Sequence, residues 1–334
     1  MSPVAIGYEN NLPATDPNAF VAREVEVPEP GPHDLVVEVE AVSVNPVDVK
    51  LRAAAPADGF RVLGFDLAGV VRAVGAEVTL FAPGDEVIAA GSIARPGSDQ
   101  RLVLVDERIT GRKPASLSFA DAASLPLTAI TAWESLFDRL ALTEHDTGTL
   151  LVVGATGGVG SAVVQLAEAL LPGVTVIATA SGPERSAWVR ALGAEHVVDH
   201  HDDLVAQVTA LAPEGVDAVF TAHSEGQIPS YARIVRPFGH IVAIDDGPRD
   251  VEPLKERSVA WHWELMFTRA LFGTPDLGEQ GALLNRVADL VDEGRVRPVV
   301  TTALTPISPE TLREAHELVE RGRTLGKVVV HGWA

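Results

Sequence analysis

Thr149–Leu170 reads TLLVVGATGGVGSAVVQLAEAL. An apolar run ends at Val153, glycines follow at 154, 157, 158 and 160, and then Val163, Val164, Leu166 and Ala167 recur at helical spacing. The pattern predicts a strand, a tight turn and a helix. Gly154 takes the chain out of the strand, Gly157 and Gly158 let backbone approach a bound pyrophosphate, and Gly160 lets the helix pack closely on the sheet. The free N–H groups and the positive end of the helix dipole favour an anion at this place. The turn Gly154, Ala155, Thr156, Gly157, Gly158, Val159 and Gly160 is thus the candidate dinucleotide cradle. A glycine loop alone is also compatible with a purely structural turn, and its setting decides between the two.

Outward from this stretch, short apolar runs alternate with helical segments. The runs are Thr149–Val153, Val174–Ala178, Val197–Val198, Val216–Phe220 and His240–Ile244. Between them lie Ser161–Leu171, Glu184–Leu192 with Gly193 as a stop, Asp203–Leu211 and a segment near Gln227–Arg236. Such alternation predicts a doubly wound parallel sheet, an α/β fold of the nucleotide-binding kind. Upstream the character differs. In DLVVEVEAVSVN (34–45) Val37, Val39 and Ala41 alternate with Glu38, Glu40 and Val42, a second run follows at Leu67–Val74, and Gly and Pro, from Pro28 to Gly84, punctuate the whole first third. Short strands joined by tight turns, as in a small β-barrel, are expected there. One helix is expected through AASLPLTAITAWESLFDRL (122–140). The tail carries two amphipathic helices, Glu279–Glu293 and Pro309–Arg321, the second opened by the N-cap Ser308 before Pro309. With Lys327–His331 as its one remaining strand, the tail is expected to return to the first domain.

About twenty residues beyond Gly160, at the end of the next strand, NAD would call for a carboxylate to receive its ribose hydroxyls. The count reaches Ala180, and no acid stands in ATASGPER. Ser181 and Arg185 are instead suited to a 2′-phosphate, which makes NADPH the expected cofactor. The alternative is that Arg185 is a solvated residue of the first helical turn.

Composition bounds the function. The 334 residues include 46 Asp plus Glu against 26 Lys plus Arg, a net charge of −20, and no Cys. That charge repels nucleic-acid phosphates and anionic lipid, so neither nucleic acid nor membrane is an expected partner. The lack of Cys excludes disulfides, thiolate catalysis and Cys-containing zinc sites. No signal-peptide pattern opens the sequence and no apolar run is long enough to span a bilayer, so a cytoplasmic location is expected.

These residues together resemble the medium-chain dehydrogenase/reductase superfamily over almost the whole length, and within it the zinc-lacking quinone oxidoreductase group, most of all the members labelled zinc-type alcohol dehydrogenase-like proteins. The stretches that carry the resemblance are AVSVNPVDVKLR (41–52), VLGFDLAGVVRAVGAEVTLFAPGDEV (62–87), LPLTAITAWESL (125–136), VVGATGGVGSAVVQLA (152–167) and WELMFTRALF (263–272). The resemblance implies a GroES-like β-barrel catalytic domain from residues 1–122 and 268–334, a Rossmann NADP(H)-binding domain over 123–267, and an active site in the cleft between them. It also implies a homodimer paired through the Rossmann domain.

Matched by motif, the three catalytic zinc ligands of the superfamily's alcohol dehydrogenases fall on Asn45, Phe65 and Leu127, none of which binds zinc as a thiolate or imidazole does. The four-Cys structural zinc lobe is missing as well. His200–His201–Asp202–Asp203 is a poor metal cluster, because adjacent residues at a strand end point different ways. No metal is expected. The resemblance brings Asn45 and Thr131 toward the nicotinamide, with Lys50 at a place often held by Tyr in bacterial quinone oxidoreductases; these three are the catalytic candidates. It sets His200 near the adenosine ribose or its phosphate, Phe267 and Thr268 against the nicotinamide, and Thr221 with Ala222 at a strand end beneath it. Interdomain packing is the other reading of Phe267. Asp48 is expected to orient its loop rather than exchange protons. Trp261, His262 and Trp263 are either a flat substrate wall or a structural junction. The function implied is hydride transfer from NADPH to an electrophilic small molecule, a quinone first. The alternatives are an enone or enal reductase and an NADPH-binding sensor or structural protein with little turnover.

Overall fold

The computed structural model describes residues 4–26, 29–54 and 56–334. Pro28, the first of the turn-marking prolines, lies outside them. The chain divides into two compact units, residues 131–266 and residues 1–130 with 267–334.

The central unit is a six-stranded sheet in which every neighbouring pair runs parallel. Counted along the chain its strands are Gly148–Val153, Val174–Thr179, His196–Val198, Val216–Thr221, Val235–Ala243 and Ala260–Trp263, and their spatial order is 3-2-1-4-5-6. The order reverses direction beside the first strand, where open α/β sheets bind their ligands. Leu151, Ile177, Val198, Val219 and Ile241 fill the core below that point. These strands read as continuous apolar runs because both faces are covered. The sixth strand was not foreseen. Its Trp261 packs against this core and meets Trp263 edge to face at 5.3 Å.

In the other unit the 11-residue strand Asp34–Val44 is the organiser. It pairs antiparallel with Leu67–Val74, with Leu102–Asp106 and with Lys327–His331, bulging twice against the first of these. The sheet continues through Glu86–Ala89 to Thr110–Arg112 on one side and Val300–Leu304 on the other. A smaller sheet holds Val21–Glu24, Val4–Tyr8 and Arg61–Val62. The pairing of Val328 with Val44 brings the tail back to the start of the chain, as expected. The tail has two strands and not one: Val300–Leu304 alternates between half-buried and exposed residues, too polar a pattern to stand out in VTTAL.

The expected helix over 122–140 is broken. Phe119–Ala122 forms one short helix and Pro126–Trp133 another, which widens to a π-helical stretch at Glu134–Arg139. Pro126 has no N–H to continue the first helix and starts the second. The division between the units falls after Ile130 and after Met266, not at 122/123 and 267/268. Residues 123–130 go with the barrel, where the Leu127 N–H donates to Asp66 Oδ1 at 2.7 Å. No helix among the described residues is long and apolar enough to cross a membrane.

Candidate functional site

The glycine turn sits at the C-terminal end of Gly148–Val153 and opens the helix Gly158–Leu170, with Gly157 as N-cap. Gly154 has φ +86°, a region closed to most side chains, and its N–H is held by Thr179 Oγ1 at 3.0 Å. A Cβ on Gly160 would lie 2.2 Å from the Gly154 carbonyl oxygen and 2.6 Å from Ala155 Cα, so the helix can approach the loop only with glycine here. A Cβ on Gly157 would be 3.6 Å from its nearest protein neighbour. Nothing in the fold itself demands glycine at 157, whereas a pyrophosphate lying against that backbone does. Ala155 is buried, and Ser161 Oγ donates to its carbonyl at 3.2 Å. Thr156, Gly157, Gly158 and Val159 are partly open. The cradle therefore fits a dinucleotide phosphate.

The neighbouring strand ends supply the charge. Arg185 Nη1 donates to Thr156 Oγ1 at 3.0 Å, which holds a guanidinium on the loop. Ser181 is the N-cap of Gly182–Ala191, yet its hydroxyl makes no capping bond. Ala180 is buried, its N–H on the Val198 carbonyl at 3.0 Å. His200 is exposed at the end of the adjacent strand, its ring 4.2 Å from that of His201. Thr221 is buried, and its hydroxyl bonds Tyr231 and receives the His223 N–H, so it supports the turn from below. His223, absent from the sequence reading, has its ring against Gly154: Cδ2 and Nε2 stand 3.3 and 3.5 Å from where a Gly154 Cβ would be. Its place directly after a strand end next to Gly154 was the available signal.

In the barrel unit the candidate Asn45 is 1% exposed and bonded on every side. Its Nδ2 donates to Asp66 Oδ2 at 2.8 Å and to the Ser43 carbonyl at 3.3 Å, and its Oδ1 accepts from Lys327 Nζ. Lys327 also pairs with Asp66 Oδ2 at 3.0 Å, and Ser43 Oγ donates to the same oxygen at 2.6 Å. The amide is thus an element of a buried ionic knot, with both of its Nδ2 protons already committed. Of this knot, only Asn45 was named from the sequence as a functional residue. Asp48 accepts the N–H of Asn45 at 2.8 Å and of Gly64 at 3.1 Å, which orients the loop as expected. Burial pushes its carboxyl up to about 7, with Asp66 adding to the rise and the two N–H donors and Lys327 opposing it.

Lys50 is exposed on the helix Pro46–Ala54, one turn or less from Asp48. Thr131 is buried and is the first residue of the central unit, so the structure assigns the three catalytic candidates to two units. Phe267 is buried with its ring edge-on to Phe65 at 5.2 Å, which supports packing as one of its roles. Thr268 begins the short helix Thr268–Phe272. At the zinc-ligand positions, then, stand a hydrogen-bonded amide, an aromatic ring and a leucine. These donors do not fit a catalytic zinc. Among the described residues no group of three or more His, Cys, Asp or Glu is placed to hold a metal.

A glycine cradle at the switch point of a 3-2-1-4-5-6 sheet in one unit, and in the other a set of mainly antiparallel strands drawn from both ends of the chain, define a two-unit dinucleotide-binding protein. Residues 31–116 match the alcohol dehydrogenase GroES-like domain and residues 192–330 the zinc-binding dehydrogenase domain. A zinc-type alcohol dehydrogenase-like protein of Staphylococcus aureus is 37% identical over 98% of this chain and 99% of its own. The mitochondrial NAD(P)H oxidoreductase RTN4IP1 of Homo sapiens is 31% identical over 90% of this chain and 82% of its own. Among solved structures, a candidate zinc-dependent alcohol dehydrogenase of Rhizobium etli CFN 42 superposes with a TM-score of 0.95 at 49% identity, covering 99% of this chain and 98% of that one. A quinone oxidoreductase of Pseudomonas syringae superposes with a TM-score of 0.82 at 26% identity, covering 98% and 99%. The CurK enoyl reductase superposes with a TM-score of 0.84 at 25% identity, covering 99% and 100%. The chain belongs to the medium-chain dehydrogenase/reductase superfamily.

Proposed function

We propose that the protein is an NADPH-dependent reductase that passes hydride to an electrophilic small molecule, a quinone in the first instance. The observation that carries the cofactor is the Arg185–Thr156 bond, a cation fixed on the glycine loop, with Ala180 and Ser181 where an NAD enzyme would place a carboxylate. The cofactor supplies the hydride, and the chain binds and orients it. In a zinc alcohol dehydrogenase the metal polarises the carbonyl and stabilises the developing alkoxide. Asn45, Phe65 and Leu127 provide no such ion, so the acceptor has to spread the incoming charge itself. Quinones do so, and so do conjugated enones. Likeness to a quinone oxidoreductase supports the first class, and likeness to an enoyl reductase keeps enones as the second reading.

The test follows cofactor oxidation at 340 nm with panels of quinones, enones and simple ketones, before and after exhaustive chelation. NADPH is expected to be used in preference to NADH, with quinones or enones reduced, simple ketones left untouched and activity retained after chelation. Arg185→Ala is expected to weaken NADPH binding at least tenfold and to leave NADH binding nearly unchanged. Equal use of NADH would overturn the cofactor reading. Activity lost on chelation and restored by zinc would overturn the reading of the ligand positions.

A further inference from the structure

The cradle has an unusual flank. Thr179 lies beside Val198 on one side and its strand beside Gly148–Val153 on the other, while Thr221 lies beside Val153. The chain therefore presents, side by side along one edge of the sheet, His200 and His201, then Ser181 and Arg185, then the glycine loop, then His223. The three histidines are all exposed, and in a molecule of net charge −20 this edge gathers them beside the Arg185 cation, while Arg249, next to His223 through Ser224, is taken up by Asp245.

We propose that recognition of a 2′-phosphorylated dinucleotide at this edge is coupled to protonation, with His200 taking up a proton from solvent as the phosphate dianion binds between it and Arg185. The inference rests on the NADPH reading above and adds to it a regulation. Arg185 is the permanent charge, fixed by Thr156, and the histidines complete the phosphate's counter-charge only when protonated. In the free protein partial desolvation by the surrounding fold holds the His200 imidazole below its ordinary value, and His201, His223 and Arg185 push the same way against Asp199. These influences disfavour the protonated ring until an anion arrives. The acids nearby do not take the phosphate's place. Asp199 Oδ1 is held by the His201 N–H at 2.9 Å, and Asp203 Oδ1 by the Ala206 N–H at 3.0 Å as a helix cap, while Asp202 lies between them in the turn. A dianion opposite His200 raises its proton affinity, and by linkage the affinity for that dianion rises as pH falls. A ligand with no 2′-phosphate gains nothing.

Isothermal titration of the whole protein with NADPH and with NADH, at pH 7.2 in two buffers of different ionisation enthalpy, counts the protons taken up. At this pH a phosphate with a second pKa of about 6 is already mostly a dianion, so an uptake reports on the protein. NADPH is expected to bind with uptake of a measurable fraction of a proton and NADH with none, and NADPH affinity to rise between three- and tenfold from pH 8.0 to 6.5. His200→Gln, on an exposed side chain, is expected to abolish most of the uptake and to flatten the pH dependence while NADPH still binds through Arg185. NADPH preferred over NADH but bound with no proton uptake, or with an uptake that His200→Gln leaves intact, overturns this inference and leaves the cofactor reading standing. NADPH bound no better than NADH at any pH overturns both.

Discussion

Gly157 and Gly160 are three residues apart in one loop and are glycine for different reasons, which a pair of substitutions separates. At Gly160 the added methyl meets backbone at 2.2 Å and cannot be relieved by a rotamer, so Gly160→Ala is expected to cost about 1–3 kcal/mol of stability as an overpacked contact. At Gly157 the methyl has room against the protein, and Gly157→Ala is expected to cost about 1 kcal/mol or less. It should nevertheless weaken dinucleotide binding at least tenfold, because the methyl occupies the approach of the pyrophosphate. Chemical denaturation and cofactor titration of both variants check this; equal effects of the two on binding and stability would contradict it. This loop was legible in sequence because all its parts are local. Lys327 was not, since its partners Asp66 and Asn45 lie 261 and 282 residues away. The count of about twenty residues reached the right strand end, but it landed on Ala180, which the fold buries, while the group that reaches the loop is Arg185.

Two elements of the barrel bury an ionisable side chain, and each makes a measurable difference. Lys327 opens the last strand and Asp66 immediately precedes Leu67–Val74, so their ion pair ties the chain's end to its first third. Removing one partner strands the other without solvent, a loss of about 3–5 kcal/mol. Lys327→Met is expected to show it, and the double change Lys327→Met with Asp66→Asn to recover most of it; a double variant no more stable than the single one would contradict the pair's role. The helix Pro309–Glu320, capped reciprocally by Ser308 and Thr311, carries His316, wholly buried against Phe20 at 4.7 Å with neither ring nitrogen bonded among the described residues. Burial, reinforced by the nearby Arg52 cation, lowers its pKa from 6.5 to about 3. The folded state thus disfavours the protonated ring. The stability this group contributes is complete above about pH 6.5 and is lost as pH falls toward 3, by at most about 1.4 kcal/mol per pH unit. Thermal melts between pH 7 and 4 should show the wild type losing stability more steeply than His316→Leu, and identical slopes would contradict it. The helix itself was readable from Ser308-Pro309 and its apolar stripe. The fate of His316 was not, because a histidine on that stripe becomes a buried base only when the strands beneath it close.

At the scale of the whole molecule, alternation of strand and helix disclosed the central sheet, yet the sixth strand escaped, because AWHW lacks the β-branched run of its neighbours. That strand has the most to say about assembly. Ala260–Trp263 pairs with Val235–Ala243 on one side and is an edge on the other, and Trp263 and Leu265 are 48% and 49% exposed. An unpaired edge flanked by exposed apolar side chains invites a second strand. A second copy of the same strand, meeting it about a two-fold axis, would make a self-complementary contact of the commonest kind. A net charge of −20 on each copy opposes association at long range, and the edge's apolar side chains have to outweigh it at contact. We propose a homodimer formed in this way, with two consequences. Light scattering at micromolar concentration should give twice 35.2 kDa, and the dimer should tighten as salt rises from about 0.01 to 0.15 M and the Debye length falls from about 30 to 8 Å. Leu265→Glu, on an exposed side chain, should yield a monomer with unchanged circular dichroism and cofactor binding. A wild-type mass near 35 kDa would refute the dimer, and a Leu265→Glu protein that stays dimeric would move the contact to another face.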